Sequence, residues 1–257
     1  MRVIKKFLKH VLSLIGLEVH RYIKTHPTVE PVPSPQALQL MTSLQQFKID
    51  LILDVGANSG QFVEDIRRAG YKGRIVSFEP LSQAHCKLLQ ASSHDPLWDI
   101  YPRCAIGDYN GEVEINIAGN SYSSSILPML DAHSNAAPQS VYQGKEKVEL
   151  KTLDSIVGQY LQTASAPFLK IDTQGFEWQV LDGAKESLQH VKGVLVELSL
   201  VPLYEGQHLW RDVIDRLEGE GFVLWAFKPE FTDLSQGRTL QVDGIFYCES
   251  CNKILNP

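Results

Sequence analysis

The residues able to do chemistry in this sequence are two glycines in a turn and three acids placed at the ends of, or within, apolar segments. Gly56 and Gly60 flank Asn58 and follow the apolar run Ile49, Leu51, Ile52, Leu53 and Val55. After them Phe62, Ile66 and Ala69 fall on one side of a helical pattern, with Glu64, Asp65, Arg67 and Arg68 on the other. A strand, a turn of little bulk and a helix make a nucleotide pocket at the carboxyl end of a first parallel strand. Glycine there lets backbone approach a ligand, and the helix N-terminus offers free N–H donors. Glu79 lies at the distance, about 20–25 residues beyond the turn, at which this architecture places an acid for a ribose. A carboxylate can accept both protons of a vicinal diol. Asp172 and Glu197 are the remaining acids: one follows an apolar strand-like segment, and the other interrupts one. Either could take a proton from an attacking group. Close together they could hold a divalent cation that acidifies a hydroxyl. His133 and His208 are weaker bases, each read first as a surface or packing residue.

These side chains need a sheet to hold them. Strand patterns occupy residues 51–55, 73–78, 100–106, 167–171, 193–198, 222–227 and 243–247, the last two as an antiparallel pair. Helical patterns lie between most of them, including residues 82–91, 176–188 and the segment carrying Trp210, Val213, Ile214 and Leu217. Residues 112–117 and 147–151 alternate and form a small inserted β pair. The polar stretch between them is long for a loop in an α/β domain and reads as part of a substrate wall or lid. No internal repeat interrupts this α/β order.

A chain of 257 residues at 44% hydrophobic content can bury a full core. Charge is unevenly spread. Residues 1–24 carry six basic side chains against Glu18, a net of +5, which leaves −11 for the rest of a chain whose total is −6. Phosphate binding requires a basic footprint, so an acidic body argues against nucleic acid as a partner. Within residues 1–24, Ile4, Phe7, Leu8, Val11, Leu12, Leu14 and Ile15 have helical spacing, with Lys5, Lys6 and Lys9 between them. The run is too short to span a membrane. It fits a helix packed on the domain or on a partner, or a basic amphipathic helix resting peripherally on an anionic membrane. Four prolines among residues 25–35 form an extended linker. Ser34 then caps a helix with Pro35 at its first position. The expected organisation is therefore residues 1–34 as extension and linker and residues 35–257 as one domain. Cys86, Cys104, Cys248 and Cys251 make no disulfide framework, which points to a reducing, cytoplasmic compartment. The half zinc site spelled by Cys248 and Cys251 has no matching second pair, so no metal site is assigned.

The spacing Gly-x-Asn-x-Gly differs from the Gly-x-Gly-x-x-Gly of pyrophosphate-binding dehydrogenases, which turns the reading from NAD toward S-adenosylmethionine (SAM). Taken with further motifs, the chain resembles the FkbM family of SAM-dependent methyltransferases over roughly residues 50–247. The motifs are Asp54-Val55-Gly56-Ala57-Asn58-Ser59-Gly60, Phe78-Glu79-Pro80, Ala105-Ile106-Gly107-Asp108 and Ser123-Ser124-Ser125. Thr152-Leu153-Asp154, Lys170-Ile171-Asp172-Thr173-Gln174-Gly175-Phe176-Glu177 and Val196-Glu197 complete them. The resemblance implies a Rossmann-like, seven-stranded class I methyltransferase sheet of order 3-2-1-4-5-7-6, its last strand antiparallel. It also implies O-methylation of sugars or small metabolites. By position, Asp54, Gly56, Ala57, Asn58 and Gly60 would line the methionine part of SAM. Glu79, between Phe78 and Pro80, would hold the ribose, and Ile106 and Asp108 would border the adenine. Ser124 would join the cofactor wall. Asp172 would face the reacting centre, with Lys170 and Glu197 in the same catalytic set. Gln174 stands where the family more often has Glu, a departure that removes one carboxylate.

Methyl transfer to a hydroxyl needs alignment and a base, and Asp172 is the first candidate. The acceptor wall is expected in residues 119–146 and 199–208, where Tyr122, Tyr142 and Tyr204 suit stacking on a sugar ring. The alternatives are a non-catalytic SAM-fold binding protein and a methyltransferase acting on protein or nucleic acid. An intact turn and ribose acid disfavour the first. The acidic body disfavours a nucleic-acid substrate, as does the absence of an Asn/Asp-Pro-Pro-aromatic motif at Asp172. A divalent metal is possible but not indicated, and no feature fixes an oligomeric state.

Overall fold

The computed structural model describes residues 32–248. The readings made for residues 1–24, for the first part of the linker and for Cys251 lie outside the described residues. Helix α1, Pro35–Gln46, begins as expected, with the Ser34 side chain accepting a hydrogen bond from the Ala37 N–H at 3.0 Å. Strand β1, Leu51–Val55, is buried at every position because it lies between two parallel neighbours with helices on both faces. Its neighbours are β2, Arg74–Phe78, and β7, Pro167–Ile171. Helices α2, Gln61–Arg68, and α3, Ser82–Ser92, make the first two crossovers, and β3, Trp98–Ile100, takes the sheet edge beside β2.

On the other side of β1 the sheet continues through β7, β8 (Gly193–Ser199), β10 (Arg238–Cys248) and β9 (Phe222–Asp233). The full order is β3-β2-β1-β7-β8-β10-β9, with β10 antiparallel to β8. This is the expected 3-2-1-4-5-7-6 arrangement. Helix α9, Trp210–Gly219, buries Val213 and Leu217 and connects β8 to β9.

Four expectations need correction. The segment read as one strand over residues 100–106 is two. Trp98–Ile100 joins the main sheet, and β4, Ala105–Ile106, joins a second sheet instead. The inserted pair is therefore three-stranded, β4-β6-β5, with β5 at Gly111–Ala118 and β6 at Tyr142–Lys151. The helix expected over residues 176–188 breaks into α7, Glu177–Asp182, and α8, Lys185–Leu188. Gly183 sits at the break against the backbone of Gly107, where a Cβ would stand 1.8 Å from the carbonyl oxygen. No other residue can pass so close. The last hairpin also runs further than expected, because Pro229 lies in the edge strand β9, which can dispense with a ladder donor. Short helices complete the connections: α4 (Asp131–Ala136) between β5 and β6, and α5 (Leu153–Ile156) and α6 (Gly158–Leu161) between β6 and β7. Cys86 and Cys104 are free thiols, whereas Cys248 is disulfide-bonded. Among the described residues no helix is long and apolar enough to cross a membrane.

Candidate active site

The register of the central strands brings the motifs together. Asp54 on β1 pairs with Ser77 on β2 and with Lys170 on β7. Its carboxylate accepts from the Ser77 hydroxyl at 2.8 Å and stands 3.1 Å from the Lys170 ammonium, both groups buried. Trp98 Nε1 donates to Ser77 Oγ at 2.9 Å and extends the chain of contacts to the third strand. Burial works against the Lys170 charge, but Asp54 and Asp172 outweigh it and raise the ammonium above its ordinary pKa. Lys170 also donates to the Gly56 carbonyl at 3.1 Å. It is thus an internal strut beneath the turn. It does not line the cavity described below, although it was placed in the catalytic set.

Gly56 has φ +78° and lies so close to the carbonyl of Asp172 that a Cβ would stand 1.8 Å from that oxygen. The turn therefore abuts the end of β7. Three of its amides are bonded internally: Asn58 N–H to Glu79, Ser59 N–H to the Asn58 side chain, and Gly60 N–H to the Ala57 carbonyl.

A cavity of about 390 Å³ opens at the carboxyl ends of these strands. Gly56 and Asn58 from the turn, then Phe78 at the end of β2 and Glu79 and Pro80 after it, form one wall, with Ile106 nearby. Asp54, Ala57 and Gly60 lie behind that wall and do not line it. Asp108 is exposed and also off the wall, so the structure does not bring it to the other candidates. Glu79 accepts from Asn58 N–H at 2.7 Å and from Leu81 N–H at 2.8 Å, one bond to each oxygen. Burial pushes its pKa up to about 7 against the pull of those two amides and of Lys170.

Across the cavity stands Asp172, its side chain 37% exposed. The left-handed φ of +55° at Gln174 turns the chain after β7 back on itself. Its amide nitrogen then reaches both Asp172 Oδ1, at 3.0 Å, and Glu197 on β8, at 2.9 and 3.1 Å. Gln241 on β10 adds a donor to Glu197 at 2.7 Å. Burial, then the neighbouring Asp172 and Glu177, raise the Glu197 pKa well above the carboxylate range. Glu177 accepts from the Thr173 and Gly175 amides at 2.9 and 3.0 Å, and burial still holds it at about 7.

The third wall is the serine run, Ser123 to Ser125, with Tyr122 and Asn120 beside it. Of the three tyrosines expected there, only Tyr122 lines the cavity. The Tyr142 hydroxyl donates to the Leu127 carbonyl, and Tyr204 is buried with its hydroxyl on Gln174 Oε1 at 2.9 Å. His133 reaches the cavity but is buried, paired with Ser140 Oγ at 3.0 Å and shifted toward neutral by that burial. His208 lies elsewhere, stacked on Trp178 at 3.9 Å. Glu230, Phe231 and Gln241 complete the wall and were not foreseen, because they lie on the part of the hairpin that the strand pattern stopped short of. Among the described residues, no group of three or more His, Cys, Asp or Glu side chains is placed to hold a metal ion.

A doubly wound sheet of this order, with a glycine turn after its first strand and an acid after its second, defines a SAM-dependent methyltransferase. The chain belongs to the FkbM methyltransferase family, whose methyltransferase FkbM domain model matches residues 54–224. It is similar to the 2-O-methyltransferase NoeI of Sinorhizobium fredii, with 24% identity over 194 residues, 73% of this chain and 79% of that protein. Among solved structures it is similar to the magnesium protoporphyrin IX methyltransferase of Synechocystis, at 8% identity, TM-score 0.46 and coverage of 83% and 76% of the two chains. It is also similar to the fibrillarin pre-rRNA processing protein of Methanococcus jannaschii, at 12% identity, TM-score 0.43 and coverage of 78% and 67%. Neither structural likeness bears on what this chain acts upon.

Proposed function

We propose that this chain transfers a methyl group from SAM to a hydroxyl of a sugar or another small polyhydroxylated acceptor, with Asp172 as general base. The observation that carries the reading is the position of Asp172, half-exposed between the wall built on Glu79 and the wall built on the serine run. When bound, SAM supplies the electrophilic methyl on a sulfonium. The residues present fit such a ligand. Glu79 has used one acceptor position on each oxygen, which leaves the others for a ribose diol. The cavity wall bears Glu79, Asp172, Glu197 and Glu230 and no Lys or Arg, a setting that suits a cationic ligand.

On the other side, serine hydroxyls, Asn120 and Gln139 give neutral donors and acceptors around the entrance, with Tyr122 as a flat apolar face. That combination fits a sugar better than a charged polymer. The similarity to a 2-O-methyltransferase supports oxygen as the atom methylated. Asp172 needs only to take the hydroxyl proton as the oxygen attacks, and the fixed walls supply alignment. Incubation of the full chain with tritiated SAM and a panel of neutral glycosides, nucleic acids and protein extracts tests the reading. Label in glycosides is the expected result. Label confined to nucleic acid or protein overturns it, as does SAM binding with no transfer to any acceptor.

A further inference from the structure

Gln174 is the most heavily bonded side chain in the cavity, and its bonds have a fixed sense. The Tyr204 hydroxyl lies 2.9 Å from Oε1 and the carboxylates lie around Nε2. Only the amide nitrogen can donate to carboxylates, so the hydroxyl must donate to the oxygen and the amide cannot be flipped. Its backbone is held as well, the carbonyl accepting from Ser125 Oγ at 2.6 Å. Three carboxylate oxygens, from Asp172 and both sides of Glu197, converge on this one nitrogen at 3.0, 3.1 and 2.9 Å. Oxygens gathered from two carboxylates around a single point are what a hard divalent cation collects, at shorter range.

We propose that the Gln174 amide, aimed by Tyr204, takes the place of a divalent cation between Asp172 and Glu197 and makes this carboxylate pair indifferent to metal. Its two N–H groups give each acid a donor, and together with the raised pKa of Glu197 this lets the acids stand side by side without a positive ion. Gln241 supplies Glu197 with a second donor from the opposite strand. Lys170 Nζ stands 3.6 Å from the other oxygen of Asp172. Gln174 is thus a positioning residue: it sets where Asp172 points and decides which chemistry the pair can support. Substitution by Glu keeps the shape, removes both donors and adds a third carboxylate. Three converging carboxylates require a shared proton or a cation.

The inference concerns the same site as the proposed function but is read without acceptor or turnover, so either can fail alone. Manganese is titrated into the full chain and followed by electron paramagnetic resonance, with SAM affinity measured by calorimetry as a check on the fold. The wild type is expected to hold manganese no tighter than millimolar, and Gln174→Glu about tenfold or more tighter, as carboxylate count sets affinity. That gain should vanish when Asp172→Asn is added. Gln174→Ala, which opens the gap without adding charge, should show a smaller gain and serves if the Glu variant does not fold. Micromolar manganese binding by the wild type, lost in Asp172→Asn, overturns the proposal. So does the absence of any gain in the variants that still bind SAM.

Discussion

Replacing Glu79 by Gln separates what this residue does for the fold from what it does for the ligand. Each carboxylate oxygen holds one backbone amide, Asn58 at 2.7 Å and Leu81 at 2.8 Å. The substitution turns one oxygen into a donor, so one of those amides faces another donor in a site that is 4% exposed. An unsatisfied buried N–H costs about 1–3 kcal/mol, which urea denaturation would read as lost stability. The ligand effect adds to this. A ribose hydroxyl bonded to a charged acceptor gains about 1.5–3 kcal/mol, so SAM should bind roughly 10- to 150-fold more weakly. The pH dependence has opposite signs for the two effects. Burial raises the folded pKa from 4.5 to about 7, so the stability this group contributes is complete below 4.5 and is lost as pH rises through 7. Ribose donors favour the ionised form, so SAM affinity should rise between pH 6 and pH 8. In Glu79→Gln both trends should flatten. Isothermal titration calorimetry across that range decides the matter. Unchanged SAM affinity at pH 8, or the same pH trend in the variant, would refute the assignment of Glu79 to the ribose.

Three further outcomes are expected. Asp172→Asn should lower kcat by about 10²–10⁴-fold with SAM affinity little changed; near-normal turnover removes Asp172 as the base. Gly56→Ala places a Cβ 1.8 Å from the Asp172 carbonyl oxygen in a left-handed conformation, and should destabilise by about 2–5 kcal/mol in urea titrations. An unchanged midpoint would mean that the turn and β7 are not in contact as described. Lys170→Met leaves the Asp54 carboxylate buried with no counter-charge and should cost about 3–5 kcal/mol. A loss below 1 kcal/mol would show that Ser77 alone suffices for Asp54.

The sheet was legible because each core strand carries a short apolar run with a turn or an acid at its end. The positions of Glu79 and Asp172 followed from those ends, and that of Glu197 from the acid within one such run. What could not be read depends on long-range contacts. The β4 strand has only two residues and pairs across the chain with β6, so local pattern merged it with its predecessor. The break at Gly183 arises from contact with Gly107, which no helical periodicity records. Asp108 was placed by its motif alone, and the structure leaves it exposed and off the cavity wall. Tyr204 was named as a stacking surface but serves as a donor, because the fold buries it beside Gln174.

The β9–β10 hairpin extends past the point where β8 ends, at the Ser199 to Gln241 pairing. That overhang places Phe231 and Leu240 with Leu203, Tyr204, Met129 and Ala136 in an apolar cluster separate from the clusters under the main sheet. The half of the cavity bearing Glu79 comes from the turns after β1 and β2, whereas Glu230, Phe231 and Gln241 come from this ribbon. Substitutions at Glu230 and Phe231 would remodel that half of the cavity while the Glu79 turn keeps its bonds. The two halves can therefore diversify independently, and a change of acceptor requires no renegotiation with the cofactor.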